Sequence, residues 1–389
     1  MRAVRMPPEG KEKKPETNAY YLRISQKLQT AKYFILLFVV LAAALTFFAY
    51  RKNITYDNLR YLLRDADAAG HIENAGDKMT YMPSKNNFYT SFRGDVAVLS
   101  EGGLTLNRAL GSRSYTDAFS AKAPVAAVSD KYMVAYDVGG NDFYVYNSLG
   151  RVYDGRMEYP IYDAAAANDG HFALLTKDAV SGYIVYIYNR DFHLVTKLSR
   201  QNDIADIGFA DKRLYLCELR LAGGYLTTDI SFFTPGGAAV EPFATEVGFP
   251  LSFGGVGDKF YLLLSDGLIF YDKSGEKTLS TSFISGEPTH FACGDNALAV
   301  VLDERGADAM LGVYVYFANG ESYSVSAEYG LVDLCMRGNR LCLLYDGRLL
   351  LCGKDERREI KIGDGGLALL ETGNTVTVCY PNYAKQYAF

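Results

Sequence analysis

Tryptophan is missing altogether from the 389 residues, and histidine occurs only 4 times. The first absence rules out the Gly-His to Trp-Asp repeat signature and the tryptophan-docked repeats that surround quinone cofactors. Of His71, His171, His193 and His290, none has a second histidine three or four positions away, so the pattern of a dedicated zinc site is lacking. The strings G-x-S-x-G, G-x-G-x-x-G and the P-loop do not occur either, which argues against the familiar hydrolase, dinucleotide and nucleoside-triphosphate sites. Basic surplus is confined to one end. The formal net charge is -5, yet residues 1–32 alone carry +5 and leave -10 on the remainder. A body of that sign has no general attraction for a nucleic-acid backbone.

Long uncharged apolar runs are also scarce, with one exception. Tyr33 to Tyr50 reads YFILLFVVLAAALTFFAY, 18 residues without a charge, between Lys32 and the pair Arg51-Lys52. As a helix it spans about 27 Å, sufficient for a hydrocarbon core of about 30 Å. Tyr33 and Tyr50 sit where interfacial aromatics belong. The rival reading is a cleaved signal peptide, but its basic region would be 32 residues long, and Ala42-Ala43-Ala44 lies inside the apolar run, where cleavage is implausible. The sequence therefore predicts a retained signal-anchor, a single pass with the N-terminus cytoplasmic and the body extracytoplasmic at the cell membrane. Residues 1–32 read as a basic cytoplasmic tail, partly disordered, with Ala19 to Lys32 extending the helix. Residues 33–50 are the transmembrane helix. Residues 51–76 are a stalk helix and linker, with Leu59, Leu62 and Leu63 on one stripe.

What the body has in abundance is tyrosine (31), phenylalanine (22) and glycine (37), a balance that favours short strands and tight turns. A compact turn followed by a bulky apolar strand recurs, as in RGDVAVLS from Arg93, GDKFYLLLS from Gly257 and RGNRLCLLY from Arg337. The marks Asp95, Asp130, Asp169, Asp211, Asp258, Asp295, Asn339 and Asn374 are 35 to 47 residues apart, the length of a four-stranded blade. Each marked strand is followed by a second apolar strand, such as GGNDFYVYN from Gly139. A polar strand follows, as after Gly275, and then a short apolar one, such as PVAAV from Pro124. That order, small inner strand, two buried middle strands and polar outer strand, is the order of a β-propeller blade. Residues 77–389 thus predict an all-β fold, a β-propeller of eight four-stranded blades, with seven as the alternative. Lys78 to Met82 and Tyr383 to Phe389 are expected to close the last blade from both ends and remove free sheet edges.

Candidate chemistry is sparse. His290 lies on an expected inner strand, where a structural role outweighs a catalytic one. The 6 cysteines, Cys217, Cys293, Cys335, Cys342, Cys352 and Cys379, all lie in apolar strands and read as free buried thiols. Cys335 and Cys342 are the one pair that a two-residue turn at Gly338-Asn339 would oppose. Asp303, Glu304 and Asp308, and separately Asp137, Asn141 and Asp142, were weighed as calcium ligands, but neither group has EF-hand spacing. No catalytic, cofactor-binding or metal-binding residue is assigned. A recognition surface is expected instead at the channel mouth where outer strands lead into the next inner strand. Its residues are Arg156, Glu158 and Tyr159, Arg200 and Asn202, Glu246, Glu287, Glu328 and Tyr329, and Asp364.

The anchor followed by Tyr-, Gly- and Asp-rich repeats resembles a family of uncharacterised single-pass, membrane-anchored β-propeller proteins of anaerobic Gram-positive bacteria, a domain of unknown function. Similarity to quinoprotein-like and WD40-like propellers concerns fold alone. The resemblance supplies a placement and no residue roles. The expected function is non-catalytic: a membrane-tethered protein-binding or scaffolding module of the cell envelope. Its partner would be another membrane or envelope protein, or a peptide or glycan. An envelope enzyme acting on glycans through mouth carboxylates and a ligand-sensing domain are the alternatives.

Overall fold

The computed structural model describes residues 19–50, 78–107, 115–283, 286–304, 310–354, 356–372 and 375–388. The tail 1–18, the stalk expected over 51–76 with His71, and Asp308 lie outside them. The chain divides into two units, residues 1–66 and 67–389.

In the first unit a single helix, α1, runs without a break from Ala19 to Tyr50. The stretch Ala19 to Lys32 is thus continuous with the uncharged run, as its sequence predicts. One window, Ile24–Ala42, is long and apolar enough to cross a membrane, and none of it is buried inside protein. Phe34 and Phe38 are exposed on its surface.

The second unit is an eight-bladed β-propeller. Eight antiparallel sheets of four strands follow in chain order. Blade one begins with the inner strand Phe88–Phe92, and blades two to seven begin at Pro124, Ile161, Asp203, Pro250, Gly286 and Leu331. Blade eight takes three strands from the C-terminus, Ala368–Thr372, Thr375–Cys379 and Tyr383–Ala388, and its outer strand, Met79–Thr80, from the start of the domain. Met79 pairs with Ala384 and Thr80 with Tyr383, which closes the ring as expected. Tyr81 completes the seal by donating its hydroxyl to the carbonyls of Tyr380 and Tyr383.

Alternation along the middle strands explains how blades stack. With a side-chain period of two, each strand sends one set of apolar residues to the preceding blade and the other to the next. In blade four, Leu214 and Leu216 join the cluster shared with blade three, whereas Tyr215 and Cys217 join the cluster shared with blade five. Every one of the eight seams holds such a cluster. Outer strands such as Leu194–Arg200 and Arg357–Lys361 are largely exposed. Several of the marked turns are tight hairpins. In Ala210 to Arg213 the two central residues, Asp211 and Lys212, have φ of 49° and 61°, the left-handed pair that matches strand twist.

Candidate functional site

Antiparallel order gives the propeller two distinct faces. The upper face carries the outer-to-inner connections and the turns between second and third strands. The lower face carries the remaining turns.

On the channel wall, the inner strands of blades three to seven each contain one extra residue. Register shifts fall between Ile161 and Asp163, Ile204 and Asp206, Pro250 and Ser252, Pro288 and His290, and Leu331 and Asp333. A bulge leaves its extra residue out of the ladder and re-aims the one after it. The skipped residues include Tyr162 and Leu251, both exposed at the mouth. The residue after the bulge reaches the next blade when it is an aspartate. Asp206 accepts from the Phe253 N–H at 2.9 Å, Asp333 from the Leu369 N–H at 2.7 Å, and Asp163 from the Ile207 N–H. Tyr215 adds a bond from its hydroxyl to the Phe253 carbonyl at 2.6 Å. Ser252 and His290 turn to neighbours in their own blades, the Tyr261 hydroxyl at 3.1 Å and the Thr289 hydroxyl at 3.2 Å. Burial raises all three carboxyls, and pushes Asp206 up to about 7 against the pull of the Phe253 N–H, with the Asp163 charge adding to the rise.

The polar residues expected at the mouth are mostly engaged. Arg156 pairs with Asp142 at 3.1 Å, Arg200 with Glu218 at 3.6 Å, and Glu328 with Arg348. Tyr329 donates to Asp303 at 3.1 Å. Glu246 is not a free mouth carboxylate: its side chain is 12% exposed, accepts from the Tyr271 hydroxyl at 2.7 Å, and pairs with Lys277 at 2.8 Å. Its position on the outer strand of blade four directs it to the sheet of blade five. Glu158, Asn202, Glu287 and Asp364 are exposed. They stand on separate blades and form no common cluster.

Asp308 of the first calcium group lies outside the described residues, and the second group is not brought together. Asp137 caps the N–H groups of Lys122 and Ala123, Asn141 donates to the Met157 and Glu158 carbonyls, and Asp142 is held by Arg156. Among the described residues no group of three or more His, Cys, Asp or Glu could hold a metal ion. His171 pairs with Asp169 in its own turn at 2.9 Å. The six cysteines are free, and Cys335 does oppose Cys342. Cys293 corrects the expectation of burial. It ends an inner strand, where the backbone faces the channel instead of a second sheet, and is exposed.

What sequence reasoning missed is the apolar character of the upper face. Tyr162, Val180, Leu221, Tyr225, Phe249 and Tyr329 are among its exposed large side chains. Among the described residues, the lower-face turns contain no such side chain, although Leu194, 44% exposed, directly follows one of them. Their sequence is polar, and a depression of ≈ 410 Å³ there is lined mainly by Asp258, Lys259, Asn296, Asn319 and Asn339. The missed signal was present in the strings RLAGGYL and VGFPL, where apolar residues flank glycine at a connection instead of a strand interior.

A family model described as a family of unknown function (DUF5711) matches residues 75–234. No curated protein matches the chain. Among solved structures, the chain is similar to Sqt1 of Saccharomyces cerevisiae, at 11% identity and a TM-score of 0.56, covering 81% of this chain and 100% of that one. It is similar to AztD of Citrobacter koseri in its apo form, at 12% identity and a TM-score of 0.52, covering 75% and 91%. BamB of Moraxella catarrhalis aligns at 11% identity and a TM-score of 0.50, covering 80% and 100%. Identities this low speak to fold alone, and the fold they share with this chain is the β-propeller.

Proposed function

We propose that this protein is a membrane-tethered binding module, in which the helix anchors an extracytoplasmic propeller whose upper face docks another protein of the cell envelope. On this reading residues 1–32 are a cytoplasmic tail, 33–50 span the bilayer, 51–76 form the stalk and 77–389 the propeller. On the same reading the chain is one of the single-pass propellers of anaerobic Gram-positive bacteria that its sequence resembles. The observation that carries the reading is that the most exposed large apolar side chains of the described propeller residues, Val180, Leu221, Tyr225 and Val247 among them, lie on the upper face, since monomeric surfaces seldom keep such patches without use. Propellers serve as rigid platforms because their loops are held by a closed ring of sheets. A catalytic reading finds no support in the mouth carboxylates, which are scattered over separate blades or already paired.

The test is in-cell crosslinking from the intact anchored chain with mass-spectrometric identification, alongside a variant carrying Tyr162→Ala, Phe249→Ala and Tyr329→Ala. A specific envelope protein captured by the native chain and lost in the variant is the expected result. Equal capture by both would remove the upper face from the account.

A further inference from the structure

We propose that the upper rim of blade four is an apolar ledge that takes a protein segment whose apolar side chains are flanked by Lys or Arg. The inference rests on the protein-binding reading above and locates the docking point away from the channel axis.

Blade four has a long hairpin. Its second and third strands, Arg213–Ala222 and Tyr225–Phe233, outrun the inner strand, whose ladder stops at Asp203 opposite Leu219. The outer strand stops at Val247 opposite Thr227. The tip from Arg220 to Tyr225 therefore extends beyond the strands on both sides. Gly223 and Gly224, at φ of 59° and 86° with nothing within 4 Å of either Cβ position, make the turn. Tip residues of that kind are usually polar, but here Leu221 is 78% and Tyr225 67% exposed, with Val247 at 60%, Phe249 at 44% and Leu251 at 37%. They crown both faces of the hairpin. Leu221, opposite Leu226, is on the face toward blade five, whereas Tyr225, opposite Ala222, is on the face toward blade three together with Thr227 and its partner Val247. From Val247 the chain runs directly through Phe249 to Leu251.

Charge around the ledge selects the occupant. The cations near it are all in ion pairs: Lys177 with Asp203, Arg200 with Glu218, Arg220 with Asp229, and Lys277 with Glu246. Asp178 and Asp266, in the adjacent turns of blades three and five, form no ion pair among the described residues; Asp178 is held by N–H groups of its own turn. The uncompensated charge is negative. It opposes an anionic lipid surface and favours a protein segment with basic residues beside its apolar anchor.

The test places a photoreactive residue at Tyr225 of the full-length chain in its native membrane, with the same label at Tyr329 on the mouth and at Asn319 on the lower face. The expected result is a protein adduct from position 225, mapped to a peptide with apolar residues flanked by Lys or Arg, and none from position 319. Leu221→Asp lowers its yield roughly tenfold, and Asp178→Asn with Asp266→Asn lowers it roughly twofold. Both changes are on exposed turns and leave the fold intact, which the unchanged melting temperature verifies. Lipid adducts at 225, or a peptide without basic residues, overturn the proposal. Adducts from 329 alone overturn the ledge and leave the protein-binding reading standing, whereas adducts from neither position overturn both.

Discussion

Blades three to seven and the arc of blades eight, one and two are made from the same four-strand unit, yet their inner strands are joined in different ways. In the first arc each inner strand carries an extra residue, and where the next residue is aspartate it hydrogen-bonds to the backbone of the following blade. In the second arc the inner strands pair without a shift, as in Phe88 to Phe92 against Asp95 to Leu99, and the seams rest on apolar clusters and on Tyr81. The bulge and the carboxylate are separable parts of the device. Blades five and six have the bulge but place Ser252 and His290 after it, and neither bridges to the next blade. The bulge supplies position, and the charge-capable acceptor supplies the bond.

The comparison can be broken first at the plain arc. Tyr81→Ala removes a buried ring and two hydrogen bonds from the closing blade, and an expected loss of about 3–5 kcal/mol is measurable by denaturant unfolding of the purified full chain. A smaller effect is expected in the bulged arc. Asp206→Ala leaves the Phe253 N–H without its acceptor, for a loss of about 1–3 kcal/mol, visible in the same assay and as faster hydrogen exchange at that amide.

Asp206 also gives the comparison a pH signature. Its folded-state pKa, about 7, lies above that of an unfolded aspartate at about 3.9. Between those values the folded chain holds a proton that the unfolded chain has lost, so the group's contribution is fully present below about pH 4, declines as pH rises, and levels off above about pH 7. Asp206→Asn keeps an acceptor for Phe253 and removes the titration. The variant should therefore show a flatter melting profile over that window than the native chain, and an unchanged slope would show that another group carries it. The smallest effect is expected at His290→Ala, within about 0.5 kcal/mol, because the ring's hydrogen bond is to Thr289 of its own strand and it meets Asp333 of the next blade only as a nearby charge. A loss comparable to that of Asp206→Ala would mean that blade six is bridged after all.

Much of the ring was legible from hairpin marks, because a marked turn fixes where one strand ends and the next begins. The closure was legible for the same reason: Lys78 to Met82 and Tyr383 to Phe389 were left without partners in any other blade. The bridges were not read, although the triplets Ile161-Tyr162-Asp163, Ile204-Ala205-Asp206 and Leu331-Val332-Asp333 repeat in sequence. An aspartate in a short apolar strand looks like a turn boundary until the extra residue before it is seen. Glu246 misled for the opposite reason, since a carboxylate near a connection reads as exposed while its alternation sends it against Tyr271. Leu221 and Tyr225 were not read as a surface, because sequence alone does not show that one hairpin outgrows its neighbours.

The most direct test of the central claim is hydrogen–deuterium exchange of the full chain in its native membrane against the same chain purified in detergent. The account predicts added protection in the native membrane at residues 221–226 and 247–251, with the lower-face turns around Asp258 and Asn319 unchanged. Added protection confined to those lower turns, or none on either face, would contradict it.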